Sequence, residues 1–225
     1  MPGIVVGVDG SGHSRKALER AANEAVAHHA PLTVLTLDRV VSLQDYQDFA
    51  RSFSGIDKAL ATWTWFGEKR GVFVTVAGSN GADVKESDKL FQNLLKAIRE
   101  GGDPLVPLQI KSFQPRLFRL AATVFVDPAF LPEKVIANVE QELRDEFSFD
   151  RRTFGQPVHL SEVIAVMTAV SGVVAVNVTK LYRSDQTADR LAHIAAAVPL
   201  PGDDEVLGAE LLTLDPQPLK LEVAK

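Results

Sequence analysis

The chain has 225 residues, 46% of them hydrophobic, enough to bury a core as one large domain or two small ones, so disorder is not the default. Its 24 basic and 29 acidic residues leave a net charge of −5, with no surplus of positive charge to neutralise a nucleic-acid backbone. Cysteine is absent, which removes disulfides, thiolate nucleophiles and thiolate metal sites, and no apolar run reaches the roughly 18 residues that a membrane span requires.

Met1-Pro2-Gly3 leads into a strand pattern without a basic signal-peptide start, so a cytoplasmically made protein is expected. Ile4 to Val8 is a continuous apolar run suited to a strand covered on both faces, and Asp9-Gly10-Ser11 breaks it. Leu18, Ala21, Ala22, Ala25 and Val26 then recur at helical spacing up to His28 and His29, and Leu32 to Leu37 form a second strand. This is a βαβ pattern with a parallel strand pair.

A different grammar follows. Ser42 is an N-cap candidate with Asp45 three residues on, an imperfect capping box, since Glu or Gln is the better third partner. The helix it opens turns Leu43, Tyr46, Phe49, Ala50 and Phe53 inward and stops at Gly55. Ala59 to Phe66 and Val72 to Val76 flank GEKRG, a hairpin with Gly67 and Gly71 at its corners. A helix bearing Leu90, Phe91, Leu94, Leu95 and Ile98 is ended by Gly101-Gly102-Asp103-Pro104, and Leu108 to Phe113 returns as a strand beside the hairpin. The result is an αββαβ module over residues 41–115.

A second α+β module is expected over residues 116–225. Leu120 to Val126 reads as a strand, Asp127-Pro128 as a break, and Pro132 sits where a first helical turn accepts it. Val135, Val139, Leu143 and Phe147 line one helix face, and Leu160, Val163, Ile164 and Met167 mark another helix, ended at Gly172. Val173 to Val178 is a strand, Ser184 to Glu205 a polar stretch without pattern, and Glu210 to Leu214 and Leu219 to Val223 are short strands around Asp215-Pro216. The fold class is therefore α+β: two small mixed modules in tandem behind a βαβ segment.

The Asp9-Gly10-Ser11 corner puts backbone N–H groups and a positive helix end where a phosphate or ribose could sit, although such corners also use these residues merely to turn and cap. IVVGVDGSGHSRKALERAANEAVAHHAPLTVLTL resembles the first strand, helix and second strand of universal stress proteins, so residues 1–38 would form part of a Rossmann-like domain. In that family the acidic residue matched by Asp9 contacts ATP, and a later Gly-x-x-Gly, nine residues, Gly-Ser/Thr motif holds the phosphates. Here Gly78 and Gly81 have the first spacing, but the later position is Phe91 and no Gly-Ser pair lies near it.

From Val41 onward the segments VVSLQDYQDFARSFSGIDKALATWTW, GVFVTVAG, RLFRLAATVFVDP, FSFDRRTFGQPVHLSEVIAVMTAVSGVVAVNVTKLYR and GAELLTLDP resemble, in order and spacing, the C-terminal part of baseplate J-like proteins. These are wedge components of contractile phage tails and related injection systems, and the N-terminal part of such a protein is replaced here by the stress-protein-like segment. The resemblance implies a structural subunit, not an enzyme, that works through contacts with other baseplate subunits or copies of itself. It would then be found free in the cytoplasm or assembled into a tail-like particle. Two alternatives accompany it: an ATP-binding stress-type protein using Asp9, Gly10 and Ser11, and a fusion remnant without function of its own.

The residues themselves point the same way. His28 and His29 are adjacent and point about 100° apart on a helix, which prevents them from sharing an ion easily. His159 stands before a helix start, where it caps or packs, and no catalytic residue, metal ligand set or obligate cofactor is assigned. Trp63 and Trp65 share one strand face, either packing under a helix of their own module or forming an interface. Glu68-Lys69-Arg70 is an exposed hairpin tip, and Asp203-Asp204-Glu205 a solvated loop.

Overall fold

The computed structural model describes residues 4–8, 12–28, 32–36, 40, 42–200 and 206–224. Strand β1 (Ile4–Val8), helix α1 (Gly12–His28) and strand β2 (Leu32–Thr36) make the expected βαβ unit, with β1 and β2 parallel and Ile4 opposite Leu32. Helix α1 buries Ala21 and Ala25, one turn apart, whereas Val26, which its spacing placed on the same stripe, is 77% exposed because it lies one residue round the helix from Ala25. Leu37 and the Asp9-Gly10-Ser11 corner lie outside the described residues.

Helix α2 (Leu43–Ser52) begins at the expected cap. The Ser42 hydroxyl accepts from the Asp45 N–H at 3.2 Å, and the Asp45 carboxylate accepts from the Ser42 N–H at 2.7 Å, so aspartate closes the box that the sequence left imperfect. The hairpin strands β3 (Ile56–Phe66) and β4 (Lys69–Gly78) are longer than predicted, and the turn is Gly67-Glu68 alone. Gly67 is the corner, at φ +64°, whereas Gly71 lies inside β4. Its place there has a steric cause: a Cβ at Gly71 would meet the Pro107 carbonyl oxygen at 2.4 Å. Helix α3 (Lys89–Gly101) crosses back, and β5 (Leu108–Ser112) pairs parallel with β4, giving the order β3-β4-β5. Tyr46, Ala50, Phe91, Leu94 and Ile98 from the helices pack on Val72, Val74 and Val76. Strand β4 is buried on both faces from Gly71 to Gly78, because a second layer covers its back.

That layer belongs to the second module. Strand β6 (Gln114–Val126) is its central strand and starts six residues before the predicted Leu120, with Pro115 inside it opposite Leu211. Helix α4 (Pro132–Glu146), the two-residue strand β7 (Val158–His159), helix α5 (Leu160–Thr168) and strand β8 (Val173–Arg183) follow. Strand β8 runs antiparallel along one side of β6. Along the other side lie β10 (Glu210–Leu214), beside Gln114–Phe118, and β11 (Lys220–Val223), beside Ala121–Val124, both parallel to β6. Helices α4 and α5 bury Val135, Val139, Leu143, Val163 and Met167 against Phe118, Leu120, Val124 and Leu181. Phe147, just past α4, meets Phe118 edge-on at 5.2 Å.

The polar stretch after Ser184 is not structureless. It carries the short strand β9 (His193–Ile194), paired with β7, and buries Ile194. Backbone bonds tie it down at Leu181 N–H to Asp189 O (2.8 Å) and Leu191 N–H to Leu181 O (3.0 Å).

Candidate functional site

The Trp63 and Trp65 face of β3 splits along its length. Trp63 packs against the core of its own module with the Arg70 guanidinium over its ring at 4.6 Å, while Trp65, next to the turn, is 53% exposed. Packing and exposure therefore fall on different members of the pair, a distinction invisible in the alternation of residues.

A seam joins the two modules. Phe113, between β5 and β6, stacks with Phe149 and Phe154 at 6.1 and 5.8 Å and closes a small core with Ala77 and Leu211. The Ala209 N–H donates to the Thr75 hydroxyl at 3.0 Å, and Gly208 lies so close to β5 that a Cβ there would sit 1.9 Å from the Ser112 carbonyl oxygen. The Lys58 ammonium stands 4.9 Å from the centre of the Phe149 ring and donates to the Asp150 carbonyl at 3.2 Å. Burial holds that ammonium below its usual range, against the opposing pull of Asp150.

Two ionic centres pin the second module. Glu210, at the start of β10, accepts from Arg116 Nε at 2.6 Å, from Arg183 at 3.3 Å and from the Ala197 N–H at 2.9 Å. Burial pushes this carboxyl up, but the Ala197 N–H and the two guanidiniums outweigh it and hold the group below the usual carboxylate range. Arg152 is 1% exposed; it donates to Glu162 at 2.8 Å and to the Gln156 and Pro157 carbonyls, and its guanidinium lies 5.4 Å from the Phe147 ring centre. Burial lowers its pKa and Glu162 raises it in turn. Both centres tie strand to loop.

His159 and His193 face each other across β7 and β9, with ring centres 6.0 Å apart. Among the described residues no three His, Asp or Glu side chains gather as a metal site, and no helix is long and apolar enough to cross a membrane. A groove of about 490 Å³ between α4 and α5 is lined by Asn138, Gln141, Glu142, Val166, Ala169 and Val170. Exposed apolar side chains gather elsewhere, at one end of the second sheet: Phe125 lies opposite Ala175 at the foot of β6, with Val174 beside it, and Phe130 packs on Gly172 next to Leu131. Phe125 and Phe130 are each nearly half exposed, Leu131 and Val174 about two-thirds. Such grouped exposure is characteristic of surfaces that meet other proteins. The sequence signal for it is the run of apolar residues on both sides of Asp127-Pro128, which periodicity alone assigns to a core.

Residues 38–111 match the model of the Baseplate J-like central domain, and residues 2–59 match that of the Universal stress protein family. The two matches share residues 38–59, where the structure packs α2 and β3 with the first module. No curated protein matches the chain. Among solved structures, a chain in the cryo-EM structure of the anti-feeding prophage (AFP) baseplate, 6-fold symmetrised, is similar in fold, with a TM-score of 0.55 at 11% identity. That likeness covers 89% of this chain and 41% of the other, so this chain spans about two-fifths of that chain's length.

Proposed function

We propose that this protein is a structural subunit of a contractile-tail or injection-system baseplate and acts through protein–protein contacts with neighbouring subunits. The observation that carries this reading is the fold likeness to a baseplate chain over 89% of the residues, together with the Baseplate J-like match inside it. Its chemistry is that of a scaffold: ion pairs that tie strand to loop within the second module, an aromatic seam shared by the two modules, and an exposed apolar end suited to a partner. The particle into which it assembles holds it by such surfaces, and no catalytic step is assigned to it. The test is to tag the chain in its native host and purify sheathed or tail-like particles. The tag should co-sediment with particles and appear at the baseplate by electron microscopy, whereas a chain never found with particles sinks the proposal.

One observation favours a second reading for the N-terminal segment. The match of residues 2–59 to the Universal stress protein family supports nucleotide binding at the Asp9, Gly10 and Ser11 corner, with ATP as ligand. Calorimetry with ATP decides it: micromolar binding lost in Asp9→Ala supports it, and no binding at millimolar ATP removes it.

A further inference from the structure

Two of the chain's five histidines, His159 and His193, are brought together by the pairing of β7 with β9. Each of these strands has two residues and turns its apolar member inward, so Val158 and Ile194 are buried while His159 and His193 stand exposed on the same outer side. One residue along the ladder, the Leu160 N–H donates to the Ala192 carbonyl at 2.9 Å. In an antiparallel pair that bond makes the position of His159 and His193 a non-hydrogen-bonded one, where Cα atoms lie only about 4.5 Å apart and side chains approach most closely. The two rings accordingly face each other, with centres 6.0 Å apart and planes tilted by 31°.

The backbone under the rings is held from several sides. Arg152 donates to the Pro157 carbonyl just before β7, and the Glu162 carboxylate accepts from Arg152 at 2.8 Å and from the His159 N–H at 3.4 Å. Ahead of β9, the Leu191 N–H donates to the Leu181 carbonyl at 3.0 Å. Two imidazoles on a fixed frame are a pre-organised chelate, because neither ligand has to be ordered when an ion arrives. Metal–imidazole bonds of about 2.0–2.1 Å at a tetrahedral angle place two ring centres about 5 Å apart, so side-chain rotation that draws the rings in by about 1 Å completes the geometry. His159 also stands at the N-cap of α5, and a ring nitrogen turned to the helix leaves the other to ligate.

We propose that His159 and His193 form a surface site for a first-row divalent cation that favours imidazole, namely Zn²⁺, Ni²⁺ or Cu²⁺, with Cu²⁺ bound most tightly. The two imidazoles fill two coordination positions and water fills the others, so the ion exchanges readily and differs from the closed four-ligand sites on which small folds depend. Mg²⁺ and Ca²⁺ are poor occupants, since they require oxygen ligands and the Glu162 carboxylate is already engaged by Arg152 and the His159 N–H. A bound ion would clasp β9 to the start of α5, adding a cross-link where two two-residue strands meet. The inference rests on these residues and not on the baseplate reading.

Calorimetric titration of the full chain with Zn²⁺ and with Cu²⁺ tests it, alongside His159→Gln, His193→Gln and a control carrying His28→Gln with His29→Gln. Each single variant of the pair should weaken the tightest binding by about tenfold or more, because the second imidazole no longer adds intramolecularly, while the control keeps wild-type affinity. Saturating Zn²⁺ should also raise the urea midpoint of the wild-type chain and leave that of His193→Gln in place. Absence of binding at millimolar Zn²⁺ and Cu²⁺ overturns the proposal. Binding of wild-type strength in both single variants does so too, as does binding that is lost in the control. Circular dichroism without metal separates loss of the site from loss of fold, and His193→Gln, which lies at no helix cap, keeps the test decisive if His159→Gln alters the start of α5.

Discussion

Glu210 shows how a single residue sets the acid response of the second module. Its folded pKa lies below the ordinary 4.5, so its stabilising contribution is complete above that value and is lost as pH falls through the folded pKa. Asp215 behaves alike, held low by the Gln217 N–H and the Ser184 hydroxyl against burial. Glu210→Gln leaves Arg116 without its carboxylate partner and should cost about 2 kcal/mol at pH 7. In urea unfolding the gap between variant and wild type should narrow progressively as pH falls below 4.5; a gap that does not change with pH contradicts this account. Arg152 makes a complementary case, since truncation leaves the Gln156 and Pro157 carbonyls and Glu162 without their shared donor. Arg152→Ala should destabilise by about 3 kcal/mol, read as a lowered urea midpoint with unchanged slope.

At the scale of elements, the capping box, the α4 stripe and the αββαβ order were legible because each rests on local spacing: Ser42 to Asp45, or Val135 to Val139 to Leu143. Strand lengths were not. Strand β4 extends to Gly78 because a second layer supplies its back face, and β6 begins at Gln114 because β10 arrives from nearly a hundred residues later to pair with it. The same long-range approach explains Gly208, a residue with no local signature. Gly208→Ala should push the 206–209 segment off β5 and cost about 3 kcal/mol by thermal unfolding, whereas Gly67→Ala, with open space around its Cβ, should cost only the strain of a positive φ, about 1 kcal/mol. Near-equal losses for the two variants would refute the steric explanation.

Across the whole molecule, Phe113 couples the two modules, since its ring and the Ala209 to Thr75 bond are where one sheet rests on the other. We expect residues 42–224 to unfold in one cooperative transition, and Phe113→Ala to split it in two by calorimetry. Two transitions in the wild-type chain would show that the seam does not couple the modules.

By itself the sequence determined the α+β class, the order of elements, the inward faces of the helices and the two family resemblances, because spacing, capping and residue order are local properties of the chain. It left Trp63 and Trp65 equivalent and Ser184 to Glu205 without structure. The tertiary structure alone decided that Trp63 packs while Trp65 is exposed, and that Arg190 and Ala197 lock the polar stretch to β8 and Glu210. Each of these depends on which distant segment arrives to cover a group, and coverage is a property of packing in space.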